Sequence, residues 1–414
     1  MADLSADDQL KLIFANLQES MNPEIIEDII HKEHRAPIIY WGTATTGKPH
    51  CGYFVPGLKI AQFLQAGCKV KILLADVHGF LDNLKAPKEL VAFRAEYYKH
   101  TIIALLQAVN VPIDKLEFVL GSSYQYSPAY FEALLTLSTQ TSGHDAQKAG
   151  AEVVKQSESP PLSGLIYPLM QALDEEFLGV DAQFGGVDQR KIFALAKEAL
   201  PKLGYKERAH LMNPMVPGLA GGKMSASDPD SKIDLLDSAE VVRRKLKKAF
   251  AKPKEVEGNG LMSFVEFVLL PAGALRGGKP RFVVERRDEE PLVYTDIEEM
   301  HRDYEADVLT PQLLKSGVQN ALIPLLESIQ QAFQASPKWQ EIEKKAYPPP
   351  VEQKKKKEKK DKGSKYPGAA KGVVAQPDGS VEGPRKQEVD VARGPEAEME
   401  RLQLEKEVQE AAKS

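Results

Sequence analysis

Two short segments of the sequence carry residue types that suit phosphate binding. The first is Thr45-Thr46-Gly47-Lys48-Pro49-His50-Cys51-Gly52-Tyr53, which places hydroxyl groups, glycines and a histidine where a strand is predicted to turn into a helix. Amide groups at a helix N-terminus donate to phosphate oxygens, and Gly47 and Gly52 leave room for close approach. Taken alone, an ordinary strand-to-helix turn with a chance histidine explains this segment equally well.

The second segment is Gly221-Gly222-Lys223-Met224-Ser225-Ala226-Ser227, a glycine-led loop with one lysine and two serines. Alone, it could be a surface loop. Together with the first segment it predicts an ATP site, because the pyrophosphate part of ATP would lie between His50 and Lys223, and the loop that carries Lys223 could close. The pair therefore indicates an ATP-using enzyme.

The elements that would position these residues alternate between strand and helix. A buried strand is predicted at residues 38–41, with further strands at 70–75 and 116–120. The first intervening helix ends near Gly67, and the second spans residues 87–109. This alternation indicates a parallel sheet, and ligands of open α/β sheets bind beyond the carboxyl ends of the strands. The first segment follows the first strand directly, so its position agrees with a ligand site.

The chain is predicted to fold as an α/β protein in four parts. These are N-terminal helices packing on the catalytic domain (1–35), a Rossmann-like parallel-sheet catalytic domain (36–235) with an insertion at about 122–163, a helical domain (236–346), and a flexible, disordered, lysine-rich tail (347–414). The helix pair within residues 8–33 is interrupted at Asn22-Pro23. In the helical domain, Ser238 is predicted to cap a helix, and Pro324 is predicted to kink an amphipathic run at 313–333.

Composition and charge exclude several classes of protein. The net charge of −5 gives no general attraction for a polyanion, so nucleic-acid contact would need a local basic surface. Cys51 and Cys68, the only cysteines, are too few for a disulfide framework and lack the spacing of a zinc site, and we predict no metal site. The N-terminus lacks the pattern of a secretory signal, and no apolar run approaches the roughly 18 residues of a membrane helix. We expect a cytoplasmic protein without a membrane span.

The two segments resemble the signature motifs of class I aminoacyl-tRNA synthetases, in which a His-Ile-Gly-His type motif and a Lys-Met-Ser-Lys-Ser type motif surround the phosphates of ATP. Here the motifs read His-Cys-Gly-Tyr and Lys-Met-Ser-Ala-Ser. The resemblance implies that Thr45, His50 and Lys223 carry the chemistry, with ATP as a substrate and Mg²⁺ assisting. Tyr53 stands in place of the second histidine, and Ala226 stands in place of the second lysine.

The same resemblance implies a wider ATP site. Its further residues are Gly42, Gly47, Lys48, Gly52, Gly186, Asp188, Met224, Ser225 and Ser227. Among them, Gly186 and Asp188 would contact the ribose. A bound monovalent cation or Lys48 could replace the contact that the family's second lysine makes with the pyrophosphate.

A closer resemblance is to the tyrosyl-tRNA synthetases of eukaryotes and archaea, and it covers about residues 8–345. It is carried by Tyr40-Trp41-Gly42-Thr43-Ala44-Thr45-Thr46-Gly47-Lys48-Pro49-His50, Tyr167-Pro168-Leu169-Met170-Gln171-Ala172-Leu173-Asp174 and Gly185-Gly186-Val187-Asp188-Gln189-Arg190-Lys191. In that family a tyrosine and an aspartate read the hydroxyl group of the substrate L-tyrosine, and these correspond here to Tyr40 and Asp174. Tyr167, Gln171 and Gln189 would hold its amino and carboxyl ends. The spacing of Gln171 and Asp174 places both on one face of a helix, which in isolation would be read as a solvent face.

The resemblance also implies tRNA(Tyr) as the second substrate. Arg190 and Lys191 lie where relatives read the first base pair of the acceptor stem, although a structural basic pair would look the same. The region from about 236 to 345 resembles the anticodon-binding domain, which would read single-stranded bases by stacking and edge hydrogen bonds. The family works as a homodimer, and the insertion at about 122–163 would contribute to the subunit contact.

Two basic clusters are not explained by these motifs. Residues 243–248 could contact tRNA phosphate or direct a nuclear fraction of the protein, and residues 354–362, with seven lysines, could tether RNA without sequence preference. For both clusters, a solvated charged surface is the plain alternative.

Two other functions stay open at this point. The nearest is ligation of tryptophan to its tRNA. The departures at Tyr53 and Ala226 also allow a non-catalytic paralogue that binds RNA or protein through the same scaffold. The joint presence of His50 and the residues implied for tyrosine binding argues against a non-catalytic paralogue.

Overall fold

The described part of the chain contains a sheet of five parallel strands and one antiparallel strand. The computed structural model describes residues 4–82, 87–111, 113, 115–153, 161–219 and 232–348. The strands of this sheet are β1 (Glu19–Met21), β2 (Ile38–Ala44), β3 (Lys69–Ala75), β4 (Leu116–Leu120), β5 (Ala182–Gly186) and β6 (Ala209–Asn213). Their order is β1-β6-β5-β2-β3-β4, with β1 antiparallel to β6 and the other pairs parallel. The predicted α/β fold is confirmed.

Helices connect these strands. They are α1 (Ala6–Phe14), α2 (Pro23–His31), α3 (Phe54–Gln65), α4 (Asp76–Leu81), α5 (Lys88–Ala108), α6 (Ser122–Gln125), α7 (Pro128–Gln140), α8 (Gly143–Ala149), α9 (Leu162–Phe177) and α10 (Arg190–Ala199). The N-terminal helices break at Asn22-Pro23 as predicted, because Pro23 opens α2, where its missing N–H is not needed. Beyond α3, Gly67 has a φ of +88°, a conformation that favours glycine.

The C-terminal region after β6 is mainly helical. It contains α11 (Ala239–Lys248), α12 (Gly260–Phe264), α13 (Leu270–Gly277), α14 (Ile297–Glu305), α15 (Pro311–Gln334) and α16 (Pro337–Ala346), with a π-helical turn at Val265–Leu269. As predicted, the Ser238 side chain caps α11 by accepting from the N–H of Val241. Helix α15 continues through Pro324.

The prediction of a helical C-terminal domain missed one hairpin. Strands β7 (Phe282–Arg286) and β8 (Glu289–Tyr294) pair there as an antiparallel hairpin. Phe282, Val284 and Tyr294 of this hairpin are at most 1% exposed and belong to the same hydrophobic cluster as α15. The hairpin therefore contributes to the packing of the helices around it.

One hydrophobic cluster holds the sheet and the C-terminal helices together. It includes Ile39 in β2, Phe54 in α3, Leu246 in α11 and Val318 in α15, all of them fully buried. Burial of apolar surface is the main driving force for such packing. The cluster links the sheet to the helices that follow it.

The division into four domains stays a prediction. The tail from residue 349 onward, including the lysine-rich cluster at 354–362, lies outside the described residues. In the part that the structure describes, no helix combines the length and apolar character needed to cross a membrane.

Candidate active site

Two adjoining cavities, each of about 290 Å³, lie at the carboxyl ends of the parallel strands. We call them the Asp174 cavity and the His50 cavity. The Asp174 cavity is lined by Tyr40, Trp41, Gly42, Thr43, Ala44, Tyr53, Leu73, Ala75, His78, Asp82, Val153, Tyr167, Gln171, Asp174, Gln183 and Gln189. The His50 cavity is lined by Trp41, His50, Gly52, Tyr53, Val55, Pro56, Gly185, Gly186, Asp188, Asn213, Pro214, Met215 and Val216. Trp41 and Tyr53 line both, so the two spaces share a wall.

Asp174 lies at the buried end of the first cavity, on helix α9. Its Oδ1 atom accepts hydrogen bonds from Tyr124 Oη at 2.8 Å, Gln125 Nε2 at 2.8 Å and Tyr130 Oη at 2.9 Å. Its Oδ2 atom has no hydrogen-bond partner among the described residues. Burial raises the pKa of Asp174 to about 7, although these three hydrogen bonds act to lower it. The carboxylate is thus held in one orientation with one oxygen open.

Two further polar side chains line the cavity with Asp174. His78 Nε2 is 3.8 Å from Asp174 Oδ2, and the His78 ring meets the Tyr167 ring edge-on at 4.7 Å. Burial lowers the pKa of His78 to about 4, so its imidazole is neutral. The Tyr40 hydroxyl donates to the main-chain oxygen of Gln171 over a long 3.3 Å, and burial raises its pKa well above the ordinary value. Tyr40 and Asp174 therefore share the cavity, as the sequence predicted.

Gln171 and Gln189 form the polar wall of the same cavity. Gln171 Nε2 donates to Gln189 Oε1 at 2.8 Å. Gly185 leaves room for this pair, because a β-carbon there would be 2.6 Å from Gln189 Oε1. Amide groups both donate and accept, so such a wall can meet an ammonium group and a carboxylate.

His50 begins the 3₁₀ turn that leads into α3. Its Nδ1 atom accepts from the N–H of Gly52 at 3.2 Å. Burial, with a smaller contribution from Lys232, lowers the pKa of His50 to about 4. A neutral imidazole that accepts at Nδ1 carries its proton on Nε2, so His50 is a hydrogen-bond donor, not a cation. A neutral N–H donor suits a phosphate oxygen when another group supplies the positive charge.

Tyr53, which replaces the second histidine of the family motif, is tied into the protein. Its hydroxyl lies 3.1 Å from Thr43 Oγ1 and donates to Tyr98 Oη at 3.5 Å. Its ring meets that of His50 edge-on at 5.6 Å. Tyr53 therefore supports His50 and forms part of the shared wall.

The second predicted motif is outside the part of the chain that the structure describes. Lys223, Met224, Ser225 and Ser227 lie outside the described residues. The residues that follow the gap are paired with the first motif: the N–H of Cys51 donates to the oxygen of Ile233 at 2.9 Å, and His50 forms an antiparallel bridge with Asp234. The chain thus returns from the second motif beside His50.

Some predicted site residues do not line the two cavities. Thr45 is fully buried near Gly79 and, like Gly47 and Lys48, is not among the lining residues. Lys48 Nζ forms an ion pair with Glu343 Oε1 at 2.6 Å.

The two basic residues predicted to contact tRNA also form ion pairs. Arg190 pairs with Glu19 at 2.8 Å and Lys191 with Glu152 at 2.9 Å. Both pairs are partly exposed, so they contribute little stability and can open.

Several site residues were not found from the sequence. These are His78, Tyr124, Gln125, Tyr130 and Gln183. His78 was within reach, because it follows the carboxyl end of β3, where ligands of such sheets bind. The three donors to Asp174 come from α6 and α7, in the predicted insertion, and no local pattern marks them.

The fold and the paired cavities define a class I aminoacyl-tRNA synthetase. The chain belongs to the family described as "tRNA synthetases class I (W and Y)", whose signature matches residues 32–327.

Individual relatives narrow the comparison. The chain is 55% identical over 377 residues to the cytoplasmic tyrosine–tRNA ligase of Saccharomyces cerevisiae, covering 89% of this chain and 96% of the relative. It is 53% identical over 353 residues to the cytoplasmic tyrosine–tRNA ligase of Danio rerio, covering 85% of this chain but 65% of that longer protein. Among solved structures, the Archaeoglobus fulgidus tyrosyl-tRNA synthetase complexed with L-tyrosine matches with a TM-score of 0.73 and 35% identity, over 79% of this chain and 99% of that one.

Proposed function

We propose that this protein is a tyrosine–tRNA ligase. It activates L-tyrosine with ATP to give tyrosyl-adenylate and pyrophosphate, and then transfers the tyrosyl group to the 3′ end of tRNA(Tyr). One observation carries the proposal: in a cavity of about 290 Å³, Asp174 has one oxygen held by three donors and the other open. A fixed acceptor at the buried end of an amino-acid-sized cavity suits a phenol.

The Asp174 cavity explains how tyrosine would be preferred. The phenol donates to Asp174 Oδ2, while Tyr40 and His78 flank it and Gln171 faces the other end of the amino acid. Phenylalanine would leave the buried Asp174 Oδ2 atom without a partner, which is costly. Tyrosyl-tRNA synthetases as a class reject phenylalanine by a factor of about 10⁵, a known value and not one derived from this geometry.

Activation needs positioning more than acid–base chemistry. A carboxylate oxygen of tyrosine attacks the α-phosphorus of ATP, and the bond to the bridging oxygen of pyrophosphate breaks. His50 donates to a phosphate oxygen, and Lys223 approaches from the second motif as that charge develops. Thr45 supports the turn behind His50. The shared wall of the two cavities supports this arrangement, since it brings carboxylate and triphosphate together.

ATP and its ion occupy the His50 cavity. Gly186 and Asp188 contact the ribose, and Gly52 leaves room for the nucleotide. Gly42 leaves further room from the adjoining Asp174 cavity. We infer that Mg²⁺ enters with ATP on its phosphate oxygens, as this ion usually does in phosphate chemistry. When bound, it offsets the charge of the leaving pyrophosphate.

The tRNA contacts extend the proposal. Arg190 and Lys191 read the acceptor stem once their ion pairs with Glu19 and Glu152 open. The helical region from 236 to 346 holds the anticodon, and the lysine-rich tail adds a tether without sequence preference. The relatives named cytoplasmic support a cytoplasmic location.

We further propose a homodimer that uses the surface around α7. Tyr126, Phe131 and Leu135 are 67%, 59% and 52% exposed. Phe131 and Leu135 are four residues apart on one helix, so they share a face. Exposed apolar groups that cluster in this way mark a protein contact, and a two-fold dimer would bring the same surface together twice.

Tyrosine-dependent exchange of pyrophosphate into ATP tests the proposal. Tyrosine should support exchange, whereas tryptophan and phenylalanine should not. Adding tRNA(Tyr) should then yield tyrosyl-tRNA. Exchange with tryptophan alone would assign the chain to the other branch of its family, and no exchange with any amino acid would favour a non-catalytic paralogue.

A further inference from the structure

The carboxyl end of α16 contacts the loop that carries the first motif. The Tyr347 hydroxyl, just beyond α16, donates to the main-chain oxygen of Gly47 at 3.0 Å. From the same helix, Glu343 forms its ion pair with Lys48. These residues lie far from the loop in sequence, and sequence reasoning gave them no role at the ATP site.

Helix α5 holds the same loop from a second direction. The Tyr98 hydroxyl donates to the Gly47 oxygen at 2.5 Å, and Arg94 Nη1 donates to the Thr46 oxygen at 2.6 Å. Arg94 Nε also donates to the oxygen of Ala346 at 3.2 Å, and the Arg94 guanidinium lies 5.2 Å from the centre of the Tyr347 ring. Helices α5 and α16 thus meet at two consecutive carbonyl groups.

Aromatic packing makes this arrangement rigid. The ring of Trp339 in α16 stacks on His100 at 5.8 Å, and Tyr97 meets the Tyr347 ring edge-on at 5.2 Å. Trp339 and Tyr97 are each 2% exposed. Close-packed side chains of this kind leave neighbouring groups little room to move.

Planar peptide geometry gives the contacts a consequence for ATP. In a trans peptide the C=O and N–H groups point in opposite directions. Fixing the oxygens of Thr46 and Gly47 therefore fixes the N–H groups of Gly47 and Lys48 on the opposite side of the loop. It also pairs two carbonyl dipoles that would otherwise repel a phosphate.

We propose that Tyr347, Tyr98 and Arg94 are positioning residues for ATP: they hold the main chain at residues 46–48 so that its amide groups face the phosphates. The inference rests on the proposed activation reaction, because it assigns these residues to the nucleotide step. It adds that α16 is a structural part of the ATP site. None of the three residues lines the Asp174 cavity, so we expect their main effect on ATP.

The test uses Tyr347→Phe and the double variant Tyr98→Phe/Tyr347→Phe of the full chain. Phenylalanine keeps the rings, and Tyr347→Phe removes only the hydrogen bond to Gly47. In the double variant, Tyr98→Phe removes the second bond to Gly47 and also the acceptor of the long 3.5 Å bond from Tyr53. The matched control is Tyr304→Phe, because the buried Tyr304 hydroxyl likewise donates to a main-chain oxygen, that of Lys252, at 2.9 Å. The measurements are the KM for ATP and for tyrosine in pyrophosphate exchange, the Kd for ATP by direct titration, and the Tm.

Tyr347→Phe should raise the KM and the Kd for ATP by about threefold to tenfold, the loss expected for one hydrogen bond. The double variant should raise them further, while the KM for tyrosine stays unchanged. The inference is overturned if ATP constants stay at the wild-type value in both variants, or if Tyr304→Phe shifts them equally. A wild-type protein without exchange would defeat the proposed function, and the ATP titration would still decide this inference.

Discussion

His78 Nε2 and Asp174 Oδ2 lie 3.8 Å apart in the Asp174 cavity, and neither atom has a hydrogen-bond partner among the described residues. A single oxygen atom can sit about 2.7 to 2.9 Å from both. It would accept from the imidazole N–H and donate to the carboxylate. The two atoms together therefore mark a place for one hydroxyl group, which the phenol of tyrosine can fill.

Tyrosine binding should depend on pH through Asp174. Its pKa is raised to about 7, and the open oxygen is a strong acceptor for the hydrogen bond from the phenol only when the carboxylate is ionised. The Kd for tyrosine should therefore rise as pH falls below that value, approaching about tenfold per pH unit. His78, with a pKa of about 4, does not titrate in this range. Equilibrium dialysis from about pH 5 to pH 8 measures the effect.

Asp174→Asn is the control for this pH dependence and should flatten the profile. A profile that breaks equally in Asp174→Asn would assign the titration to another group. Stability should move in the opposite sense to binding. A carboxyl group whose pKa is raised on folding stabilises the folded state at low pH, and that contribution is lost as pH rises through about 7.

Tyr40→Phe should weaken discrimination between tyrosine and phenylalanine. The variant removes one hydroxyl from the phenol end of the cavity and keeps the ring in its hydrophobic cluster with Leu73 and Leu178. We expect the ratio of kcat/KM for the two amino acids to fall by about tenfold to hundredfold. Pyrophosphate exchange with each amino acid measures the ratio, and an unchanged ratio would remove Tyr40 from recognition of the hydroxyl.

His50→Ala should slow adenylate formation by about two to three orders of magnitude, as loss of one transition-state donor does. The Kd for tyrosine should stay close to wild type, because His50 lines the neighbouring cavity. Since the pKa of His50 is about 4, its protonation should leave no inflection in the rate near neutral pH. A variant that exchanges pyrophosphate at the wild-type rate would contradict this role.

The sequence predicted the strands that carry apolar runs, and it missed the strands that do not. Strand β4 was predicted at its observed bounds, because Leu116–Leu120 is a mostly apolar run. Strand β6 reads Ala-His-Leu-Met-Asn and lacks β-branched residues, so nothing local marks it, although all five residues are buried. Strand β1 has three residues and depends entirely on pairing with β6. Tertiary context decides both elements.

The residues of the candidate site also divide into those that the sequence indicated and those that it did not. Asp174 and Gln171 were predicted from the family resemblance, and their spacing on one face of a helix agreed with it. The donors Tyr124 and Tyr130 approach Asp174 from about 50 and 44 positions earlier in the chain, as their hydrogen bonds record. A sequence pattern does not reveal such contacts. The same holds for Tyr347, which reaches the first motif across nearly the whole described chain.

Phe131→Asp should convert the protein to a monomer. Phe131 is 59% exposed on α7, and a charge there would have to be buried in the proposed subunit contact. Sedimentation or light scattering measures the mass. Val308→Asp is the control, since Val308 is also exposed, at 44%, but precedes α15 in the C-terminal region. A wild-type protein that is already a monomer would refute the proposed dimer.

Truncation after Pro350 should raise the apparent KM for tRNA at about 0.15 M salt, and leave adenylate formation intact. The truncated segment holds the seven lysines of residues 354–362, which attract phosphate without reading sequence. The difference should shrink as salt increases. Unchanged tRNA kinetics after truncation would show that the cluster is only a solvated charged segment.

The three-residue strand β1 has a protective effect on the sheet. Glu19, Ser20 and Met21 pair with residues 210–212 of β6, and the N–H of Gln18 donates to Met212. Without them, the fully buried Leu211 and Met212 would border a row of unpaired amide and carbonyl groups. Such an edge is a template for strand addition between molecules. The N-terminal segment therefore protects this sheet edge against aggregation. A chain that begins after Asn22 should precipitate, although it keeps all the residues proposed for catalysis.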